Sequence, residues 1–297
     1  MKNIINKAKG ALVGLACGDA VGTTLEFLPP GTFDPITDMV GGGPFELKAG
    51  QWTDDTSMAL CLASSLLEQN GSDPEDQIQR YLRWYKDGYM SATGYCFDIG
   101  NTVHQALIDY EQTGNAFAGS TSPNSAGNGA LMRLAPVAIF YHRDLQDSWH
   151  YAAETTRTTH GCEECVEASQ LFAEMLRIAL TANDKSEIFK NSVNLNEPKV
   201  QAIANGSFTS APQAQMTGTG YVIDSLQSAL WCFVHSNSFE QSILMAANLG
   251  NDADTTAAIC GQIAGAYYGY QGIPPQWRNK LHQETFIAET AERLVKR

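Results

Sequence analysis

The run Gly250-Asn251-Asp252-Ala253-Asp254-Thr255-Thr256-Ala257-Ala258-Ile259-Cys260-Gly261-Gln262-Ile263-Ala264-Gly265-Ala266-Tyr267-Tyr268-Gly269 constrains this chain more than any other stretch. Behind Thr255 nearly every side chain is small, so a helix here is thin enough to be surrounded by other helices. At its start, Asp252, Asp254 and Thr255 put two carboxylates and a hydroxyl on a tight turn, as a hard-metal site at a helix start would be built. Asp and Thr are also preferred N-cap residues, so the cluster taken alone reads equally well as a cap. A second copy of the same chemistry stands at Trp52-Thr53-Asp54-Asp55-Thr56-Ser57, before the apolar run from Met58 to Leu67. Two such starts, far apart in sequence, read as two halves of one site.

Around these two starts the apolar spacing is helical. Ile4, Ile5, Ala8, Ala11, Leu12, Leu15 and Ala16 predict a helix that breaks at Gly18-Asp19-Ala20-Val21-Gly22, with Glu26 just beyond. Residues 29–51 are rich in Gly and Pro and read as a loop. Helices are predicted from Thr53 to Gln69, through Ile78 to Tyr85, and from the Phe97–Val103 segment to Tyr110. Further helical patterns cover Trp149 to Thr158, Cys165 to Ala182, Tyr221 to Val234, Phe239 to Leu249, and a last helix from Pro275 to Leu294. The polar stretch from Lys185 to Thr219 reads as an insertion or lid. No sustained period-2 run of Val, Ile and Thr occurs, so the expectation is an all-α, single-domain helical bundle over residues 1–297, with its polar loops gathered at one end.

The 32 acidic against 19 basic side chains, a net charge of −13, argue against a nucleic-acid backbone or an anionic membrane as the main partner. No stretch has the roughly 20 apolar residues of a membrane span and the first ten residues lack a signal peptide's apolar core, so the expected location is the cytoplasm. Cys17, Cys61, Cys96, Cys232 and Cys260 lie singly in helical or apolar surroundings and are expected as reduced, buried thiols. Cys162 and Cys165 form a lone C-x-x-C, which favours two helix-borne thiols over zinc or redox chemistry.

The candidate oxygen ligands are Thr53, Asp54, Asp55, Asp252, Asp254 and Thr255. Carboxylates and hydroxyls without His or Cys select magnesium or manganese over zinc or copper. Four aspartates around one poorly hydrated point repel by several kcal/mol, so two divalent cations are expected between them. Such two-metal sites activate a water for attack at an electrophilic centre. The small-residue loop ending in Gly127-Asn128-Gly129 can present amides to an anion, although it lacks a Walker loop's Gly-Lys-Ser/Thr ending and reads on its own as plain connection.

Taken in order, Gly10-Ala11-Leu12-Val13-Gly14-Leu15-Ala16-Cys17-Gly18-Asp19-Ala20-Val21-Gly22, Thr53-Asp54-Asp55-Thr56, Asn128-Gly129-Ala130-Leu131-Met132-Arg133, Gly220-Tyr221-Val222 with Ala229-Leu230, and Gly250 to Thr255 span nearly the whole chain. In these motifs the chain resembles the ADP-ribosylglycohydrolases. The resemblance implies an all-α fold with a dinuclear magnesium or manganese centre that hydrolyses the bond between the anomeric carbon of ADP-ribose and an acceptor. It implies metal ligation by the six residues above, a place for Glu26 near a mobile first loop, and a ribose-facing D-x-x-N at Asp98 and Asn101, with Asp98 or Glu26 as the acid/base group. It implies diphosphate binding by the amides of Gly127, Asn128 and Gly129, His160 near the ribose or phosphate, and Tyr221 stacked on adenine.

Read without the resemblance, Asp98 suits a helix cap, His160 a loop histidine, Tyr221 a core residue and Glu26 a solvated carboxylate. The joint reading is an enzyme, expected as a monomer, that acts on ADP-ribosylated proteins or small ADP-ribose conjugates. The arginine linkage comes first among acceptors; serine, O-acetyl-ADP-ribose and nucleic-acid ends are the alternatives, beside a silent ADP-ribose-binding homologue. A dinuclear phosphatase or nuclease suits the metals too, but such sites usually include His at strand ends. The acceptor is expected against the loops at residues 29–51 and 88–126.

Overall fold

A computed structural model describes residues 2–190 and 194–297, and among these the chain is helix and loop without a strand. The helices are α1 (Lys2–Gly22), α2 (Asp54–Gln69), α3 (Pro74–Asp87), α4 (Asn101–Thr113), α5 (Ala135–Phe140), α6 (Leu145–Arg157), α7 (Glu163–Ala179), α8 (Lys185–Ile188), α9 (Pro198–Ala204), α10 (Val222–Val234), α11 (Phe239–Ala247), α12 (Ala253–Tyr268), α13 (Pro275–Lys280) and α14 (Glu284–Val295). One continuous apolar core runs from Ala8 to Val295. No helix of the described residues is long and apolar enough to cross a membrane.

The small residues of α1 and α12 explain the centre of the bundle. A Cβ added to Gly10, Gly14, Gly18 or Gly22 would stand 2.2, 2.4, 2.1 or 2.3 Å from the carbonyl oxygen of Gly265, Gly261, Ala257 or Ala253 respectively. The partner numbers fall as the α1 numbers rise, so the two helices run antiparallel with their backbones in contact. Such an approach is closed to helices with larger side chains at the seam. The predicted break at Gly18 is therefore wrong: α1 continues to Gly22, because Gly18 and Gly22 serve the seam rather than a turn. That antiparallel seam sets the last turn of α1 beside the first turn of α12.

Two other expectations change. The single helix predicted from Pro275 to Leu294 is divided, because the His282 amide bonds the Gly50 carbonyl at 2.9 Å and Gln283 adopts a left-handed φ of 52°. The Lys185–Thr219 stretch folds as α8, α9 and two 3-10 turns, with Ile188, Val200, Ile203, Phe208 and Met216 buried; residues 191–193 of that prediction lie outside the described residues. All seven cysteines are free thiols, as expected, but Cys96 is only partly buried.

Candidate active site and metal centre

Three helix ends meet: the last turn of α1 with Asp19, the start of α2 with Thr53 to Asp55, and the start of α12 with Asp252 to Thr255. Asp19 is fully buried. Its Oδ1 accepts the Thr53 amide at 2.8 Å and hydroxyl at 3.0 Å, and its Oδ2 accepts the Thr56 amide at 3.0 Å and hydroxyl at 2.6 Å. Helix α2 is thus capped by a carboxylate from another helix. Neither Thr53 nor Asp252 caps its own helix through its side chain, so the capping reading of the two acidic clusters falls.

Freed from capping, these side chains face one another. Thr53 Oγ1 lies 3.1 Å from Asp254 Oδ2 and 3.3 Å from Asp55 Oδ2, and Thr255 Oγ1 lies 3.4 Å from that same Asp55 oxygen. Asp55 Oδ1 and Asp254 Oδ1 are buried without a hydrogen-bond partner. Asp19, Asp55 and Asp254 bring one oxygen each within 4.8 Å of one another, as do Glu26, Asp98 and Asp254. Asp254 belongs to both groups. Among the described residues no ion pair reaches any of these carboxylates.

Burial, reinforced by the neighbouring carboxylates, holds Asp54, Asp55 and Asp254 well above the usual carboxylate range, and burial raises Asp252. Burial, followed by the charges of Asp98 and Asp252, pushes Glu26 up to about 9. Burial likewise pushes Asp98 up to about 7, against a hydrogen bond from Glu26. Orphaned buried oxygens, all-oxygen donors and uncompensated negative charge fit hard divalent cations, which would reverse each of these shifts. Asp19 fits as a frame rather than a ligand, since its oxygens already accept four donors.

A cavity of about 760 Å³ opens on this cluster and is lined by Glu26, Asp54, Asp98, Asn101, Gly127, Asn128, Gly129, His160, Asp252 and Thr255 among others. Thr53, Asp55 and Asp254 sit behind that wall. Asp98 caps nothing: Gly100 is the N-cap of α4, and Asp98 holds a left-handed φ of 59°. Asn128 Nδ2 donates to Asp252 Oδ2 at 2.6 Å, so the asparagine orients an acidic oxygen. The amides of Gly127 and Asn128 donate to Ser125 and Gly220 carbonyls at 2.8 and 3.1 Å, leaving Gly129 as the uncommitted amide of the expected three.

His160 is buried, and a Cβ on Gly127 or Gly129 would stand 3.2 Å from its Nε2 or 2.9 Å from its Cε1. These glycines therefore give the imidazole room. Arg133, itself buried, donates to the Gly129 carbonyl at 2.8 Å and to Thr159 Oγ1 at 2.7 Å. The Thr159 hydroxyl then has His160 Nδ1 as its acceptor at 2.9 Å, which leaves the proton on Nε2, beside the glycines. Burial and the nearby Arg133 lower His160 to about 3, so the ring is neutral. Tyr221 is absent from the cavity lining; its hydroxyl bonds Glu164 and Lys199, both at 2.6 Å, and Lys199 lies over its ring. The C-x-x-C holds its thiols 3.2 Å apart, with Cys162 at the N-cap of α7 and Cys165 donating to the Gly127 carbonyl.

The ADP-ribosylglycohydrolase family model matches residues 1–297. The chain belongs to that family. It is 45% identical, over 99% of its length and 79% of the relative's, to an ADP-ribosylarginine hydrolase Tri1 of Pseudomonas putida (strain GB-1). It is 30% identical, over 94% of its length and 91% of the relative's, to the ADP-ribosyl-(dinitrogen reductase) glycohydrolase of Rhodospirillum rubrum. A solved ADP-ribosylglycohydrolase-related protein complex superposes with a TM-score of 0.89 at 41% identity, covering 100% of this chain and 99% of that one. As an ADP-ribosylglycohydrolase, the chain is a glycosidic-bond hydrolase, and the all-α expectation holds.

Three buried polar residues, Asp19, Arg133 and Gln262, were not among the sequence's site candidates. Asp19 looked like part of a helix break. Arg133 ties the Gly129 carbonyl to Thr159, and Gln262 donates to the Leu131 and Met132 carbonyls at 3.0 and 2.9 Å and accepts the Ala135 amide at 2.7 Å. The available signal was a polar side chain amid small apolar ones on a helix already read as enclosed.

Proposed function

We propose that this ADP-ribosylglycohydrolase hydrolyses the N-glycosidic bond between ADP-ribose and an arginine side chain, with two magnesium or manganese ions held by Thr53, Asp54, Asp55, Asp252, Asp254 and Thr255. The observation that carries the reading is Asp55 and Asp254, each with a buried oxygen that lacks a hydrogen-bond partner, facing Thr53 and Thr255 beneath a cavity large enough for a nucleotide. The 45% identity to an ADP-ribosylarginine hydrolase supports the arginine linkage. The same reading takes the enzyme as a cytoplasmic monomer.

Cleavage of a ribosyl bond passes through an oxocarbenium-like state, which needs charge stabilisation, a water and a proton for the leaving group. Bound cations would supply positive charge against the ribose hydroxyls and the attacking water. Glu26 and Asp98 stand together at the cavity wall and would carry the proton for the leaving group. As water adds to the anomeric carbon, the C–N bond breaks with its electron pair on the guanidine nitrogen. That nitrogen takes the proton from the pair, and the pair regains one from the attacking water. Asn101 faces the ribose, the Gly129 amide and the neutral His160 Nε2–H serve the phosphate side, and Tyr221 would reach adenine only by leaving Glu164 and Lys199.

The test is release of free ADP-ribose from a protein carrying ADP-ribosyl-arginine, with manganese or magnesium, against a chelated control. Release that stops on chelation supports the reading. Release from serine-linked protein alone would overturn the linkage, and equal release in chelator would overturn the metal role.

A further inference from the structure

Beside the cavity, four aromatic rings from three loops form a strip. Ring centroids are 6.3 Å apart for Phe27 and Phe45, 5.1 Å for Phe45 and Phe97, and 5.8 Å for Phe97 and Tyr95. Phe27 is 63% and Tyr95 61% exposed, an unusual outlay of large apolar surface. The strip begins inside the site, because Phe27 lines the cavity next to Glu26 and Phe97 immediately precedes Asp98.

Its backbone is held firmly and under strain. Phe27 donates its amide to the Asn251 carbonyl at 2.7 Å, and the Asn251 amide returns to Leu28 at 2.8 Å. Phe27, Glu46, Asp98 and Asn251 all take left-handed φ values, of 62, 53, 59 and 55°, among the seven such non-glycine residues described. An exposed phenylalanine in that conformation gains little from packing, so the strain is explained by what the ring presents.

We propose that this strip seats the stem of the modified arginine at Phe27 and the polypeptide flanking it along Phe45, Phe97 and Tyr95. The proposal rests on the arginine reading above. Guanidinium groups are planar, weakly hydrated and stack on aromatic faces, and aromatic anchors dominate protein recognition. Among the described residues, Lys and Arg side chains cover other rings, on Tyr267, Tyr89, Tyr81, Phe233, Tyr268, Tyr221 and Tyr270, and none of the four in the strip. A planar guanidinium guest therefore finds free ring faces beside the cavity.

The experiment measures steady-state hydrolysis of a protein carrying ADP-ribosyl-arginine, and inhibition by free ADP-ribose, for Phe45→Ala, Tyr95→Ala and Tyr95→Trp. The alanine variants are expected to raise KM about fivefold with kcat within about twofold, while Tyr95→Trp restores KM and the ADP-ribose inhibition constant stays put. An unmoved KM in both alanine variants overturns the proposal. So does a parallel loss of ADP-ribose affinity, which would mean the strip reads the nucleotide. A wild type that releases ADP-ribose from serine-linked but not arginine-linked protein overturns the arginine reading itself, and this proposal with it.

Discussion

The Asp19 carboxylate accepts both the amide and the hydroxyl of Thr56, at 3.0 and 2.6 Å, across 37 positions of chain. One buried side chain from the central helix thereby fixes the start of α2, where the acidic cluster begins. The frame of the site is laid down by α1, and the acidic side chains hang from it.

Asp19→Asn keeps one acceptor but turns an NH2 toward donors. The expected loss of stability in chelator is about 1–3 kcal/mol, read by denaturant melts. Manganese affinity should fall roughly 10- to 100-fold by calorimetry, as when an outer-shell partner is lost. Wild-type affinity and stability together would make Asp19 a bystander.

Asp254→Asn should act with the opposite sign on the metal-free fold. Asp254 is common to both carboxylate groups, so the variant loses hydrolysis and manganese binding. It also removes an uncompensated buried charge, so in chelator it should be more stable than wild type by about 1–3 kcal/mol. A lower stability in chelator than the wild type's would contradict mutual repulsion in the cluster.

The pH dependence follows from the raised carboxylates. Glu26 at about 9 and Asp98 at about 7 lie above their unfolded values, so their protonated forms favour the fold. That stability is full below about pH 4 and is lost as pH rises through 7 toward 9. Melting temperatures in chelator should fall over this window, and saturating manganese should remove the decline. A flat profile in chelator would show that these groups are not desolvated.

His160 titrates in the other sense. Its folded value near 3 lies below the unfolded 6.5, so its contribution is present above pH 6.5 and drains away as pH falls toward 3. Replacing His160 with Gln should flatten that limb of a pH series of melts. Retention of the full acid slope in the variant would assign it elsewhere.

Gly14→Ala places a methyl 2.4 Å from the Gly261 carbonyl oxygen, and should cost about 1–3 kcal/mol by forcing α1 and α12 apart. Gly22→Ala, 2.5 Å from the Asp254 Cα, should in addition weaken manganese binding. Equal affinity in the two variants would mean the seam does not set the metal site.

The helices were legible where periodicity was strong, as in α2, α3 and α10, and their ends where Asn70-Gly71 or Gly88 supplied a left-handed cap. The acidic clusters were legible as chemistry, because carboxylates and hydroxyls at a helix start have few uses. Position was not legible where one residue serves a distant segment. The glycines of α1 read as a break because sequence shows their flexibility and hides the helix that needs the space they leave. The roles of Gln262 and Arg133 were not legible because Gln262 reaches the Leu131 carbonyl across 131 positions and Arg133 reaches the Thr159 hydroxyl across 26.

By itself, then, the sequence determined an all-α chain, its family, and which oxygens were available for hard cations, since these depend on local periodicity and on the donor atoms of side chains. Only the tertiary structure decided that Asp19 caps a helix other than its own, that Asp254 joins two carboxylate groups, and that Tyr221 is held by Glu164 and Lys199. Those are relations across the antiparallel seam and the loops around it, set by how closely two backbones can approach.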